Sequence, residues 1–278
     1  MKLSHVGFKL QRAVAKRGVV GTLTAAPAKI MGHLARGSKP GKQYNAVHPF
    51  DLEHGTDTSG LIAAEDLLDN RRRKNIHNTG FYATAPSMFQ QAFARLDIDF
   101  ERFTFVDLGA GKGRIILLAS NFPFKRVLGV EFVPELHAIA TRNIALYQPA
   151  VRQCQDVQCI LSDVRHFDFP DVPLAIFMWH PFVGPVFEQV MTNLEESLQR
   201  NPREVYLVYL KPQYEHLVIE RVPSLEKIWE THITMTEQDF AAYIFPDQSE
   251  TCAAYATSGP DGSARHKCGS GHVKTRRG

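Results

Sequence analysis

Residues 105–114 read Phe-Val-Asp-Leu-Gly-Ala-Gly-Lys-Gly-Arg, an apolar run that leads into three glycines at alternate positions. The run before the glycines is typical of a buried strand, and the apolar residues 115–119 that follow are typical of the start of a helix. Glycine suits such a junction because the backbone must turn sharply and let a ligand approach without Cβ atoms in the way. Amide groups at the start of the helix add hydrogen-bond donors there. The stretch therefore predicts the ligand-binding turn of an α/β fold.

The spacing of the glycines separates the cofactor classes that use such a turn. A dinucleotide-binding fingerprint is G-x-G-x-x-G, but Arg114 stands where its third glycine would be. A P-loop requires G-x-x-x-x-G-K-[ST], which the sequence lacks. What remains is D-x-G-x-G-x-G, with the acid Asp107 two residues before the first glycine.

Two further acids stand at the ends of the next predicted strands. Glu131 ends the strand that follows, 20 residues after Gly111, and Asp163 ends the third strand. Three acids at three successive strand ends, together with the glycine turn, indicate one binding site at the carboxyl edge of the sheet. The alternative is that these acids only cap helices or lie in solvated loops.

On these residues the chain resembles the class I S-adenosylmethionine-dependent methyltransferases. Their cofactor carries an ammonium group where a dinucleotide has pyrophosphate, so an Asp at the strand end makes electrostatic sense. The resemblance implies that Glu131 accepts hydrogen bonds from both ribose hydroxyls and that Asp163 binds the adenine amino group. The cofactor-binding residues that it implies are Asp107, Gly109, Ala110, Gly111, Glu131, Phe132, Asp163 and Val164.

The end of the fourth predicted strand, Phe177-Met178-Trp179-His180-Pro181-Phe182, matches the family only in part. Many methyltransferases carry [ND]-P-P-[YF] at this place, but here His180 replaces the Asn or Asp and only one proline is present. We predict that Trp179 and Phe182 form a flat wall for the substrate, because aromatic rings offer a large rigid contact area. His180 is a candidate catalytic base, since its ordinary pKa lies near neutrality. The alternative is a plain strand end with core aromatics.

A segment before this core extends the resemblance to about residues 48–250. There the chain resembles a group of poorly characterised bacterial methyltransferases and, more distantly, the Dot1-type histone-lysine methyltransferases. The latter place a tyrosine-containing loop over the cofactor, which makes Tyr82 a second catalytic candidate; a packed surface tyrosine is the alternative. The residues that carry this part of the likeness are Asp57-Thr58-Ser59-Gly60 and Asn78-x-x-x-Tyr82-x-x-x-Pro86-Ser87.

The alternation of short apolar runs with helical stretches predicts an α/β, Rossmann-like, seven-stranded and mostly parallel sheet with helices on both faces. A final pair of strands, 228–235 and 240–245, is separated by only four residues, so it must form an antiparallel hairpin. The other strands are predicted near 103–108, 126–131, 157–162, 174–179 and 204–210, and the helices between them near 113–120, 134–147 and 184–200.

Two helices are predicted before the sheet. One begins after Ser59 with an apolar pattern that runs from Leu61 to Leu68, and the other begins at a capping box formed by Ser87 and Gln90. The whole chain then divides into four parts: a basic amphipathic arm and linker at 1–43, a helical N-terminal cap at 44–100, the methyltransferase core at 101–255 and a disordered basic tail at 256–278.

The formal charge of +3 conceals a strong partition. Residues 1–50 hold nine Lys or Arg and no acid, the tail carries +4, and residues 51–255 are left with −10. The arm therefore suits an anionic surface, with acidic lipid, nucleic acid and a targeting role as open alternatives beside simple packing of the arm on the acidic core.

Four cysteines show neither the spacing of a zinc site nor the density of a disulfide-rich domain. We therefore expect no metal site and a cytoplasmic location, with peripheral membrane contact left open.

The function that these patterns predict is S-adenosylmethionine-dependent transfer of a methyl group to an acceptor that the sequence does not name. Protein, nucleic acid, lipid and small molecule all stay open as acceptors. Two alternatives are a non-catalytic S-adenosylmethionine-binding protein, which the altered residues 180–182 favour, and a nicotinamide-dependent oxidoreductase, which Arg114 disfavours.

Overall fold

The computed structural model describes residues 47–64, 67, 79–241 and 248–257. The predicted arm and linker, residues 71–78 and the tail beyond Thr257 lie outside these residues. No helix within the described ranges is long and apolar enough to cross a membrane.

The central feature is one seven-stranded sheet, and it confirms the predicted fold class. Its strands are β3 (Thr104–Leu108), β4 (Arg126–Glu131), β5 (Val157–Leu161), β6 (Leu174–Met178), β7 (Val205–Leu210), β8 (Leu225–Thr234) and β9 (Ser249–Thr257). They lie in the order β5-β4-β3-β6-β7-β9-β8, in which β9 alone runs antiparallel to both of its neighbours.

Helices cover both faces of this sheet, as the prediction required. They are α1 (Pro49–His54), α2 (Pro86–Phe93), α3 (Arg114–Ala119), α4 (Pro134–Leu146), α5 (Pro185–Arg200), α6 (Glu215–Arg221) and α7 (Glu237–Ala241), and a two-stranded sheet of β1 (Leu61–Ile62) and β2 (Phe81–Tyr82) precedes β3. Proline stands in the first turn of α1, α2, α4 and α5, where its missing N–H costs nothing.

Alternate residues of the central strands serve two separate cores. Phe105 and Phe177 pack with α2 and α3 on one face, whereas Val106 and Ile176 pack with α5 and α6 on the other. Every residue of β3 and β6 is buried, as expected of parallel strands covered on both sides. The chain passes from β3 to β4 on one side and later returns to β6 on the other, so a crevice opens where the strand order reverses.

The antiparallel hairpin is confirmed, but its second strand was predicted in the wrong place. Phe240 lies in α7 and packs against the core, while the strand that pairs with β8 is Ser249–Thr257. Its alanine-rich centre has a weak strand propensity. Burial between β7 and β8 decides the conformation of this segment, because strand preference depends mainly on packing context.

The two predicted helix starts before the sheet are also wrong. Leu61 and Ile62 form β1 and pair with β2, so Ser59 does not begin a helix there. Helix α2 does exist, but its N-cap is Ala85 without a side-chain bond, so Ser87 and Gln90 form no capping box. Ser87 instead donates its N–H to Asp239 of α7, which draws α2 onto the far end of the sheet.

Candidate functional site

The turn between β3 and α3 is built from three glycines in left-handed conformations. Gly109, Gly111 and Gly113 have φ values of 91°, 57° and 90°. A Cβ at Gly109 would lie 2.6 Å from the Cβ of Pro181, and one at Gly111 would lie 2.6 Å from two ring carbons of Phe81. The turn therefore packs between the segments that contain Pro181 and Phe81, and no side chain fits at Gly109 or Gly111.

Glu131, at the end of β4, holds this turn with its carboxylate. Its Oε2 accepts from the N–H of Gly111 at 2.7 Å and its Oε1 accepts from the N–H of Val133 at 2.7 Å. Burial raises the pKa of Glu131 to about 7, although these backbone N–H groups act in the opposite direction. Burial, and secondly the Glu131 carboxylate, raise the pKa of Asp107 well above its usual range. Two acids that face each other in a dry site favour a cationic ligand.

Asp163 stands at the end of β5 in a different state. Its carboxylate caps the short turn 164–166 through the N–H of Arg165 and also forms an ion pair with the Arg165 guanidinium. The side-chain hydrogen bond from Arg165 lowers the pKa of Asp163, so this group is ionised. Asp163 therefore has the capping role that the alternative predicted, and its role in binding adenine stays a prediction.

A cavity of about 270 Å³ opens at the carboxyl ends of β3, β4 and β6. This is close to the size of a small-molecule site. All twelve predicted site residues line it, so the structure brings the whole set together: Tyr82, Asp107, Gly109, Ala110, Gly111, Glu131, Phe132, Asp163, Val164, Trp179, His180 and Phe182.

Strained backbone marks the part of the cavity that lies beyond the ends of β6 and β7. His180 and Lys211 have φ values of 40° and 60°, and they are the two non-glycine residues with positive φ in the described part of the chain. Both follow adjacent parallel strands and both line the cavity. Left-handed backbone is costly for residues with a Cβ and persists where function or packing fixes it.

His180 sits deep in this end of the cavity, in contact with two tyrosines. Its Nδ1 lies 2.6 Å from the Tyr209 hydroxyl, and its ring stacks on Tyr214 with centroids 5.4 Å apart. Trp179 and Phe182 also line the cavity, as the prediction of an aromatic wall expects. Tyr82 lies at its rim, with 37% of its surface exposed.

The segment before β3 forms the opposite wall, and we call residues 47–62 and 79–85 the covering segment. Phe81 of β2 lies against Gly111, and Thr79 donates its N–H and its hydroxyl to the Pro181 carbonyl at 3.1 and 3.0 Å. The Lys112 ammonium donates to Asp57 Oδ1 at 2.7 Å and stands 5.6 Å from the centroid of the Phe81 ring. The covering segment is therefore attached both to the glycine turn and to Pro181, which follows β6.

Arg114 lines the cavity, but the sequence analysis did not predict it as a site residue. Its guanidinium is buried, donates to the Thr58 hydroxyl at 2.7 Å and to the Ser59 hydroxyl at 3.0 Å, and pairs with Asp51 at 3.4 Å. Burial tends to raise the pKa of Asp51, but hydrogen bonds from Ser59, Thr58 and Thr56, together with Arg114, lower it overall. The sequence signal that could have identified Arg114 is its place at an otherwise apolar helix start, because a buried guanidinium requires hydrogen-bond acceptors.

Lys211 was also missed. It follows the apolar strand β7, its ammonium contacts Glu250 Oε1 at 3.0 Å, and it is the one lysine among the lining residues. The dipeptide Lys211-Pro212 at the end of a buried strand could have indicated it, by the same reasoning that selected Glu131.

Comparison with known proteins places the chain beside solved methyltransferase structures at low similarity. No family model and no curated protein matches the sequence. A putative RNA methyltransferase from Pyrococcus horikoshii is 19% identical, with 61% of this chain and 79% of that one covered and a TM-score of 0.42. A precorrin-6y C5,15-methyltransferase from Geobacter metallireducens is 16% identical, with 60% and 86% covered and a TM-score of 0.43. A ribosomal protein L11 methylase from Lactobacillus delbrueckii is 13% identical, with 65% and 82% covered and a TM-score of 0.42. Their named substrates differ, and at these scores the likeness assigns no activity to this chain.

Proposed function

We propose that this protein is an S-adenosylmethionine-dependent methyltransferase that acts on an acceptor still to be identified. The observation that carries the proposal is the convergence of the glycine turn, three acidic strand ends and an aromatic wall on one cavity. Pockets with convergent polar groups and perturbed acids at a switch point of an α/β sheet are where ligands and substrates bind.

The residues present fit this cofactor. Glu131 uses one lone pair on each oxygen for a backbone N–H, and a carboxylate has about four lone-pair positions, so acceptor capacity remains for a pair of ribose hydroxyls. Asp107 supplies a buried negative charge for the ammonium group. Gly109 and Gly111 both line the cavity, so their backbone is available to a bound molecule. When bound, S-adenosylmethionine supplies an electrophilic methyl group on a sulfonium.

The chain's own part in the reaction is alignment of the acceptor. Methyl transfer is an in-line displacement, so positioning of the two reactants contributes most of the rate enhancement. The two acids fix one end of the cavity, and the aromatic end with Trp179, His180 and Phe182 holds the acceptor. Tyr82 closes the site at its rim. The depth of His180 excludes bulk water from the place where the methyl group moves.

Two other functions compete with this one. A nicotinamide-dependent oxidoreductase would need a small residue at the third position of its glycine fingerprint, and Arg114 there is engaged with Thr58, Ser59 and Asp51. A non-catalytic binding protein would retain the cofactor site without turnover.

Calorimetric titration distinguishes the proposed methyltransferase from a nicotinamide-dependent oxidoreductase. We expect S-adenosylhomocysteine to bind with one-to-one stoichiometry and NAD not to bind. Incubation of the protein with cell extract and methyl-labelled cofactor separates the second, because an enzyme incorporates label into one class of extract component. Binding of NAD in preference to S-adenosylhomocysteine would overturn the proposal, and binding without any incorporation would reduce it to a cofactor-binding role.

We also propose a cytoplasmic location and contact of the basic arm 1–50 with an anionic surface. Free thiols at Cys154, Cys159 and Cys252 support a reducing compartment.

The arm lies almost entirely outside the described residues, so the charge pattern of the sequence is what supports its contact with an anionic surface. Co-sedimentation with anionic vesicles should weaken when Lys9, Arg12, Lys16 and Arg17 are changed to Gln. Equal sedimentation would remove lipid contact, and a shift on nucleic acid instead would favour that partner.

A further inference from the structure

Lys211 occupies a strained position at the end of β7, beside His180 at the end of β6. Met178 and Tyr209 are partners in the register of these two parallel strands, and His180 and Lys211 stand two residues further along each strand. Lys211 has a φ of 60°, a left-handed conformation that glycine or asparagine adopts at lower cost than lysine. Residues that keep such a conformation are concentrated at ligand-binding and active sites. The position therefore indicates that the lysine side chain has a function there.

The backbone of Lys211 is held at both of its polar groups. Its N–H donates to the Thr251 carbonyl at 2.7 Å, and its carbonyl accepts from the N–H of Gln213 at 2.7 Å. Leu210, the residue before it, is buried. The part of Lys211 that can move is therefore its side chain, a flexible stem of four carbons that ends in an ammonium group with three donors.

The ion pair of Lys211 with Glu250 can open when a ligand competes for the ammonium. The distance from Nζ to Oε1 is 3.0 Å, and 40% of the Lys211 side chain and 19% of the Glu250 side chain are exposed. Pairs that are partly exposed contribute little to stability, because water and salt screen both charges. Lys211 lines the cavity, whereas Glu250 is not among the lining residues. The ammonium can therefore exchange Glu250 for an anion in the cavity at little cost.

Charges of opposite sign stand at different strand ends around the cavity. The three acidic strand ends belong to β3, β4 and β5, whereas Lys211 follows β7, two strands beyond β3 in the sheet. Two strand spacings amount to about 10 Å. Among the lining residues in the described part of the chain, Arg114 also carries a permanent positive charge, and its buried guanidinium is engaged with the covering segment. Lys211 is thus the lining cation that can meet a negative group of a ligand.

We propose that Lys211 is a specificity-determining residue that binds an anionic group, a carboxylate or a phosphate, of a methyl acceptor whose planar part lies on the aromatic wall of Trp179 and Phe182. This rests on the proposed function for the part that concerns methyl transfer, whereas binding of the anion does not. Lys211 holds the acceptor and takes no part in the bonds that form and break. An acceptor whose reacting part is cationic, such as a protonated lysine side chain, is repelled by the ammonium and disfavoured.

Benzoate and benzamide are matched probes of this site, because they share a planar ring and differ in charge. NMR of the full chain with isotope-labelled lysine side chains follows Lys211, whose signal is identified by its loss in Lys211→Arg. We expect benzoate to shift this signal saturably, with and without S-adenosylhomocysteine, and benzamide to leave it in place. Phenyl phosphate in a parallel titration distinguishes a phosphate site from a carboxylate site. If neither anion shifts Lys211 more than it shifts the exposed Lys125, the proposal is wrong.

Two substitutions at the ion pair separate binding of an anion from support of the fold. Lys211→Gln and Glu250→Gln both break the contact between β7 and β9, but only the first removes the cation from the cavity. We expect the affinity for benzoate, measured by calorimetry, to fall about tenfold in Lys211→Gln, since a hydrogen bond to a charged group is lost. In Glu250→Gln it should stay native or rise, because the competing carboxylate is gone. Equal losses in the two variants would mean that the pair only holds the strand ends together. Should Lys211→Gln fail to fold, the titrations of the native chain still decide.

Transfer of labelled methyl groups to cell extract tests the class of acceptor. We expect the acceptor in the part of the extract that an anion-exchange column retains, and we expect Lys211→Gln to raise the KM for that fraction about tenfold at native kcat and native affinity for S-adenosylhomocysteine. Lys211→Arg keeps the charge and should restore most of the loss. Label confined to the part that passes through the column would overturn the assignment of an anionic acceptor. If the native chain transfers no label, the proposed function fails while the benzoate titrations still decide whether Lys211 binds an anion.

Discussion

The strand ends of the sheet and the covering segment form the two walls of the cavity, and different interactions fix them. The strand ends belong to a sheet whose central strands are wholly buried, and they meet because parallel strands end at one edge. The covering segment contributes only a two-stranded sheet and the short helix α1, and a buried contact to Arg114 and a partly exposed one to Lys112 attach it to the turn. One wall is thus set by hydrophobic packing along the sheet, and the other by a few charged groups.

The cavity therefore depends on two separable kinds of stability. Apolar burial is distributed over many side chains, so no single polar change should displace the strand ends. A buried ion pair is concentrated in two residues, and removal of one partner leaves an uncompensated charge. Substitutions that change one kind of interaction at a time separate these two contributions.

Gly111 is the point where the two walls touch, so a side chain there should have the largest effect. Gly111→Val should abolish binding of S-adenosylhomocysteine, because its Cβ would lie 2.6 Å from two carbons of the Phe81 ring and its φ is 57°. Isothermal calorimetry measures the loss, and circular dichroism checks that the sheet remains. Gly55→Val is the matched control, since Gly55 has a φ of 66° but no atom within 4 Å of its would-be Cβ. Native affinity in Gly111→Val would mean that Phe81 and the turn separate freely.

Asp51 tests the attachment of the covering segment. Asp51→Ala should lower the free energy of unfolding by about 3–5 kcal/mol, because it leaves the buried Arg114 guanidinium without its carboxylate. Urea denaturation measures the change, and the double variant with Arg114→Met should recover part of it. Arg102→Ala breaks a half-exposed pair with Glu204 and should cost no more than about 1 kcal/mol. Similar losses from the exposed and the buried pair would contradict the contrast between the two walls.

The two walls also differ in how far the sequence predicts them. The strand-turn-strand pattern from Phe105 to Asp163 fixed the sheet, the turn and the acids, because local hydrophobic runs and glycine spacing express the same constraint as the fold. The covering segment escaped prediction at Leu61, whose apolar spacing resembles a helix although pairing with Tyr82 makes it a strand. Long-range polar contacts such as Asp51 to Arg114, 63 residues apart, have no local signature. Ser249–Thr257 was missed for the same reason, since its alanines form a strand only when neighbours bury them.

Glu131 tests the polar part of the sheet wall. Glu131→Ala should weaken binding of S-adenosylhomocysteine by about 1–3 kcal/mol, since the ribose hydroxyls and the Gly111 N–H would lose a charged acceptor. Calorimetry measures the change against Glu135→Ala, an exposed acid in the first turn of α4 that should bind normally. Unchanged affinity in Glu131→Ala would remove this residue from the cofactor site.

The pH dependence of S-adenosylhomocysteine binding should give the smallest effect, and it tests the two buried acids at the strand ends. Burial places the pKa of Glu131 at about 7 in the free protein, and hydroxyl donors from the ribose favour the ionised form, so binding lowers that pKa. Below pH 7 the Glu131 carboxyl of the free protein must release a proton when S-adenosylhomocysteine binds. The affinity for S-adenosylhomocysteine should therefore fall by up to about tenfold between pH 7 and pH 6. Asp107, whose pKa burial also raises, changes affinity in the same direction.

Calorimetry at pH 6.5 in two buffers of different ionisation enthalpy should detect protons released on binding. In Glu131→Gln any remaining release reports Asp107 alone. Affinity that stays constant or rises as the pH falls from 8 to 6 would show that the buried acids bind the cofactor in their protonated form, and the electrostatic account of the cavity would then be wrong.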